Sequence, residues 1–207
     1  MLIGEKQEWL EGVEQAWELL TSLNPEDVCR KAKVDYDEST GYYILPLFNE
    51  RAYVLPKEKQ VWGDSKVADL LLNELSHYSR LSALWYLIQT KDISPSGNLV
   101  SPKEINGGLI FTQESHILPL DRLVEKYGGD IESFVERGIA LGGEQINLGD
   151  AAVRLFPFPK VPVVLLLWKH DEEFPARADI LFDSTCSEHL PTDIVWSTAM
   201  MSLLVMV

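Results

Sequence analysis

Apolar residues recur at three- and four-residue steps through Trp9, Val13, Trp17 and Leu20, with Glu5, Glu8, Glu11, Glu14 and Glu18 filling the other faces. This pattern predicts an amphipathic helix near the start of the chain. A second helix is predicted from Pro25: Asn24 is a good cap, Pro25 suits the first helical position, and Glu26 and Asp27 complement the positive end of the dipole. From Val34 the period shortens. The runs GYYILPLF, RAYVLP and KQVW, separated by the polar stretches DEST, NE and KEK, predict an antiparallel meander. A long helix follows, opened by Asp64 or Ser65 and buried along Val67, Leu71, Leu75, Tyr78, Leu81 and Trp85.

The section from Asp92 to Gly149 is richer in Gly, Pro, Ser and Asn and reads as the irregular part of the chain. Two short helices stand out in it, at about 119–127 and 131–141, each ended by a glycine pair, Gly128/Gly129 and Gly142/Gly143. The runs AAVRLFPFP, VPVVLLLW and ARADILFD then predict a second set of strands, with Val163–Trp168 as a central strand buried on both faces. An apolar helix after Pro191 closes the chain. The fold class that results is α+β, one domain over 1–207 in which antiparallel sheets pack with long amphipathic helices. Meander then helix occurs twice, at 34–90 and 150–207, around an irregular middle at 91–149. That order fits either two halves related by pseudo-two-fold symmetry or the common strand–turn–strand–helix succession.

With 32 acidic and 18 basic residues among 207, the formal net charge of −14 repels phosphate backbones and anionic headgroups. Nucleic acid and membrane surfaces are therefore not expected as partners. Glutamates at helical intervals in the first twenty residues are unlike a secretion signal, and the expected location is the cytoplasm. The run Ile194–Val207 falls short of the roughly 20 residues that cross a bilayer and predicts a buried helix or a homodimer interface. Cys29 and Cys186 make no disulfide framework and no Cys-x-x-Cys pair, so there is no intrinsic iron–sulfur motif.

Candidate chemistry gathers at four places. QESHILPLDRL and CSEHLPTDIVW each set a His shortly before a Pro and an Asp two residues after it. His116 and His189 would then stand at helix starts, where the dipole disfavours the imidazolium and leaves a ring nitrogen for a metal or a proton. Brought together they could ligate a tetrapyrrole or corrinoid metal axially; apart, each is a local hydrogen-bonding group. Asp183 ends the last strand, as a site carboxylate or as a helix cap. In SPKEINGG, Ser101, Pro102 and Glu104 form a capping sequence, and Gly107 and Gly108 allow a tight turn or a close approach to a ligand. The hairpin LLLWKHDEEFPARADILFD places Trp168 beside a polar tip whose His170, Asp171, Glu172 and Glu173 are candidates for a divalent metal, or a solvated turn that prevents edge pairing. Phosphate-loop, dinucleotide, nucleophile-elbow and zinc-helix signatures are absent from the sequence.

The stretches YYILPLFNERAYVLP, SPKEINGG with SHILPL, LGGEQINLGDAAVRLFPFPKVPVVLLLWKHDEEFPARADILFD, and EHLPTD resemble an uncharacterised prokaryotic domain family. The resemblance implies an anaerobic setting and a loose link to corrinoid, tetrapyrrole or iron–sulfur metabolism. Some members of that family carry a cysteine-rich iron–sulfur module ahead of the domain, and this chain has no such cluster. The function expected is binding of a small ligand or cofactor, or an accessory role beside a redox or cofactor protein. The aromatic side chains offer walls for such a ligand. The alternatives are a metal- or acid/base-dependent enzyme using His and carboxylates, and a structural subunit that docks through its last helix.

Overall fold

Two antiparallel sheets share a single large apolar core. The structure, a computed structural model, describes residues 3–112, 116–170 and 172–207. Helices α1 (Ile3–Ser22) and α2 (Pro25–Ala32) lead into the first sheet, a meander of β1 (Asp35–Asp37), β2 (Tyr42–Leu47), β3 (Glu50–Leu55) and β4 (Gln60–Gly63). Asn24 caps α2 as predicted, its side-chain oxygen accepting from the backbone N–H of Glu26 at 2.9 Å and of Asp27 at 3.3 Å. Lys33, at φ 57°, turns the chain directly from α2 into β1. Alternation sets the two faces: Tyr43, Leu45, Leu47, Ala52 and Val54 are buried, while Tyr42, Tyr53 and Trp62 pack ring against ring on the other side.

The long helix predicted next is divided into α3 (Lys66–Asp69), a π-helical turn (Leu70–Glu74) and α4 (Ser76–Gln89). Ser65 is its cap, accepting from Ala68 N–H at 3.0 Å, whereas Asp64 accepts from the Tyr53 hydroxyl. Side chains one turn on take up the carbonyls around the wide turn: Ser79 Oγ donates to Leu71 O at 2.6 Å and Arg80 Nε to Leu72 O at 2.8 Å. A wide turn shifts the phase of everything after it. The buried residues of α4 are consequently Ser79, Ser82, Ala83, Leu84, Tyr86 and Leu87, and the expected Tyr78, Leu81 and Trp85 are only half-buried.

The second sheet has the order β5 (Leu99–Val100), β9 (Arg177–Asp183), β8 (Val161–Trp168), β7 (Ala151–Phe158) and β6 (Glu144–Ile146). Strand β8 is central, and Val161–Leu167 are buried on both faces, as their uninterrupted apolar character predicts. Helices α5 (Asp121–Tyr127) and α6 (Ile131–Ala140) occupy the middle of the chain as expected. Gly138 lets α6 lie close on the sheet, since a Cβ there would stand 2.7 Å from Val153 Cγ1. A one-turn helix, α7 (Cys186–His189), precedes α8 (Thr192–Leu204). The apolar side chains of α8 are enclosed in this chain's own core, and α8 lies against α4. Among the described residues no helix is long and apolar enough to cross a membrane.

Tyr86 joins the parts. Its ring stacks on Phe158 at 4.7 Å, its hydroxyl donates to Ala32 O at 2.7 Å and accepts from Lys160 N–H at 3.2 Å. A Tyr86→Phe variant keeps the stacking but strands a buried carbonyl and a buried N–H. It is expected to fold with a stability lower by about 1–3 kcal/mol in urea denaturation; unchanged stability would show that the hydroxyl contributes nothing.

Candidate functional site

The buried ionisable groups gather where β9, α7 and the segment 90–98 meet. Asp183, at the end of β9, is buried and accepts five hydrogen bonds: from Ser96 N–H (3.0 Å) and Oγ (3.0 Å), Gly97 N–H (2.7 Å), and Thr185 N–H (3.0 Å) and Oγ1 (2.7 Å). Burial by itself would raise its pKa, but the donors from Thr185, Ser96 and Gly97 outweigh burial and hold the carboxyl below the ordinary aspartate value. Asp183 thus works as a cap and a clamp: it fixes the turn into α7 and fastens 96–97 beside it.

His189 ends α7 and is 0% exposed. Its Nδ1 accepts from Lys91 N–H at 3.3 Å, which puts the proton of the neutral ring on Nε2, a buried donor with no partner among the described residues. Burial, with the Lys160 cation next in size, lowers its pKa to about 4. Cys186, one turn earlier, is buried as well, and burial pushes its thiol up to about 12, so it is inert at neutral pH. Lys160, in the turn between β7 and β8, is only 4% exposed; Nζ donates to Lys91 O at 2.9 Å and lies 3.7 Å from Asp92, which also pairs with Arg30. Burial lowers the Lys160 pKa, and Asp92 opposes that shift.

The other expected site residues fall elsewhere. His116 sets its ring 4.7 Å from Trp196, whose indole N–H donates to the His116 carbonyl at 2.8 Å. His189 has Lys91 as its neighbour instead, so the two imidazoles are not shown as an axial pair, and neither lines a cleft described below. Pro191 stands just before the first residue of α8, and His189 belongs to the short helix ahead of it. Gly107, at φ 75°, packs on Thr192, and a Cβ on Gly108 would stand 1.9 Å from Pro102 O; both glycines serve close contacts within the chain. Trp168 lies under the Arg177 guanidinium at 4.3 Å and closes the β8–β9 hairpin. At the tip, His170, Glu172 and Glu173 are exposed, His170 Nδ1 is 3.2 Å from Phe174 O, and Asp171 lies outside the described residues. His77 is exposed, with its ring 5.4 Å from that of Tyr78. Among the described residues no three His, Cys, Asp or Glu side chains are placed to hold a metal ion.

Of several clefts among the described residues, one lies against β9 and one against β1. The first, of about 400 Å³, lies between 101–103, Phe111, 117–120 and β9, with Phe111, Leu118 and Ile180 inside, Ile117 exposed beside them, and Lys103 and Asp179 at the edge. It is built from the segment whose capping sequence and glycines drew notice: Ser101 N–H and Oγ both bond Glu104 Oε2 at 2.7 Å. The other, of about 480 Å³, opens between α2 and β1. Sequence reasoning missed this second cleft because its residues read as caps and turns, and it missed Lys160 because a lysine between two strands reads as a solvated turn.

The family model of a domain of unknown function (DUF3786) matches residues 24–204, which takes in both clefts and the buried polar cluster. No curated protein and no solved structure matches the chain.

The unfolded imidazole of His189 takes up a proton near pH 6.5 and the folded one only near 4, so the unfolded chain binds more protons between those values. Stability is therefore expected to fall as pH drops through that window, by about 3 kcal/mol in all. Asp183, with its lowered pKa, withdraws a further contribution only as pH falls below the ordinary aspartate range. Urea denaturation from pH 7 to 4 should show a shallower loss in His189→Leu than in the wild type; equal slopes would remove His189 as the source.

Proposed function

The chain belongs to the family of this domain of unknown function, and we propose that it is a non-catalytic binding or accessory protein whose small amphipathic ligand sits in the cleft between Lys103, Phe111, Ile117 and β9. The observation that carries the proposal is the lining. An apolar floor of Phe111, Leu118 and Ile180 meets a rim with one cation, Lys103, and one carboxylate, Asp179. Ile117, which lines it, is 59% exposed. A cleft of about 400 Å³ lies within the size range of small-molecule sites, and apolar walls with a few polar groups are their usual chemistry.

The ionisable residues support binding over acid–base work. Asp183 is saturated with donors, His189 is enclosed, and Glu173 stands beyond Arg177, the far end of β9, which is itself six residues or about 20 Å along the strand from Asp183. The edge of a tetrapyrrole or corrinoid, a flat apolar ring bearing carboxylate or amide groups, falls in the ligand class proposed. Neither His116 nor His189 lines this cleft, so such a ring would be held by the apolar walls and the two rim charges.

Titration with haemin and with cyanocobalamin, followed by absorbance and by thermal denaturation, tests the proposal. A ligand that fits should raise the melting temperature, and Ile117→Asp and Lys103→Glu should each weaken its binding by about tenfold, or 1.4 kcal/mol. Binding that survives both substitutions would place the ligand elsewhere, and failure of both probes to bind would end the tetrapyrrole reading.

A further inference from the structure

Strand β9 is covered along only part of its outer side. Its partner there, β5, pairs Leu99 with Asp183 and Val100 with Phe182 and then ends, because the chain turns off into a one-turn helix at Pro102–Glu104. Arg177–Leu181 therefore have β8 on one side and, among the described residues, no strand on the other. Ser184 N–H donates to Asn98 O at 2.9 Å. Backbone groups alternate in an antiparallel ladder, so those of Phe182, Ile180 and Ala178 face the same side as those of Ser184. In a longer β5 the residue opposite Ile180 would be Pro102, which has no N–H to give. Ile180 N–H is held instead by its neighbour's carboxylate, donating to Asp179 Oδ1 at 2.9 Å.

The cleft beside Lys103, Phe111 and Ile117 opens against this same stretch, since Asp179 and Ile180 line it together with 101–103. An unpaired strand edge and an apolar cleft thus lie side by side. A row of backbone N–H and C=O groups at two-residue spacing is matched by another extended backbone, and the cleft by an apolar side chain carried on it. The charges along the strand add a preference. Arg177 and Asp179 stand two residues apart on one face of β9, and neither is in an ion pair among the described residues.

We propose that this edge takes up an extended segment of a partner protein, which continues β5 as an added strand and lays an apolar side chain in the cleft. The inference rests on the reading of this cleft as a ligand site and names the occupant as peptide. In the antiparallel register set by β5, apolar residues stand opposite Ile180 and Ala178, a cation opposite Asp179 and a carboxylate opposite Arg177. The incoming carbonyl replaces Asp179 Oδ1 at Ile180 N–H, and the released carboxylate pairs with the cation. A second copy of this chain lacks that match: two β9 edges paired about Asp179 set carboxylate against carboxylate, between chains that each carry −14.

Isothermal titration of the full chain with the peptide acetyl-Thr-Val-Lys-Val-Glu-amide tests the assignment, with a Kd below about 1 mM expected. Each Val exchanges N–H and C=O with Ile180 or Ala178, whereas the backbone groups of the Lys point away. N-methylation of either Val should weaken binding at least about tenfold, and N-methylation of the Lys should leave it within about threefold. Exchanging Lys and Glu in the peptide should cost about fivefold. Ile117→Asp should cost about tenfold, as should Ala178→Pro, a change that an edge strand tolerates where its N–H faces outward. Thermal denaturation checks that both variants are folded, and the methylated peptides decide the question if Ala178→Pro is not. No binding at about 1 mM, equal effects of the Val and Lys methylations, unchanged binding in the folded variants, or dimerisation of the free chain that Ala178→Pro abolishes would each overturn it. Haemin or cyanocobalamin bound without the peptide would overturn this inference and leave the cleft as a ligand site; the peptide bound without either would end the tetrapyrrole reading alone.

Discussion

The buried hydroxyl of Tyr86 is where three parts of the chain have to meet. It donates to the last carbonyl of α2 and accepts from an N–H within the β7–β8 turn, and its ring takes the face of Phe158. A buried phenol without partners is costly, so α2, α4 and the second sheet are held to one relative placement. The buried charges follow from that placement. With the β7–β8 turn drawn beneath the end of α4, Lys160 reaches the Lys91 carbonyl and the edge of Asp92, and the Lys91 N–H reaches His189. A lysine that would be solvated on most hairpins becomes a buried cation, and its field helps keep the neighbouring imidazole neutral.

What could be read from the sequence was local or strictly periodic. Asn24 and the Ser101–Glu104 pair were legible because a cap acts within three residues. The strands were legible because Tyr43, Leu45 and Leu47 alternate with less buried neighbours, and β8 because nothing polar interrupts it. The phase of α4 was not legible, because it depends on Ser79 and Arg80 satisfying carbonyls eight residues back across a wide turn. Strands β5 and β6, of two and three residues, carry too little pattern to show a period and exist as edge partners of β9 and β7.

The candidate chemistry divided in the same way. His189 was singled out for its place before Pro191, but its environment is set by Lys91, 98 residues away in the chain. Asp183 and the two glycines could be read from the sequence either as site residues or as local backbone devices, and in the structure they hold backbone in place. Open space lies instead beside residues with ordinary local explanations. Glu26 complements a helix start and Asp35 begins a strand, and only the turn at Lys33 folds one over the other. A cleft made by the approach of two elements has no period and no motif.

The π-helical turn at Leu70–Glu74 has a consequence for how the chain distributes its contacts. Each helical residue advances about 100° around the axis, so one wide turn works as a phase joint between two lengths of the same rod. Before the joint, α3 lies against β3 and β4; after it, α4 lies against α1, α2 and α8. One continuous stretch of helical chain thereby serves the first sheet with one side and the helical layer with another, and no loop is needed to turn it.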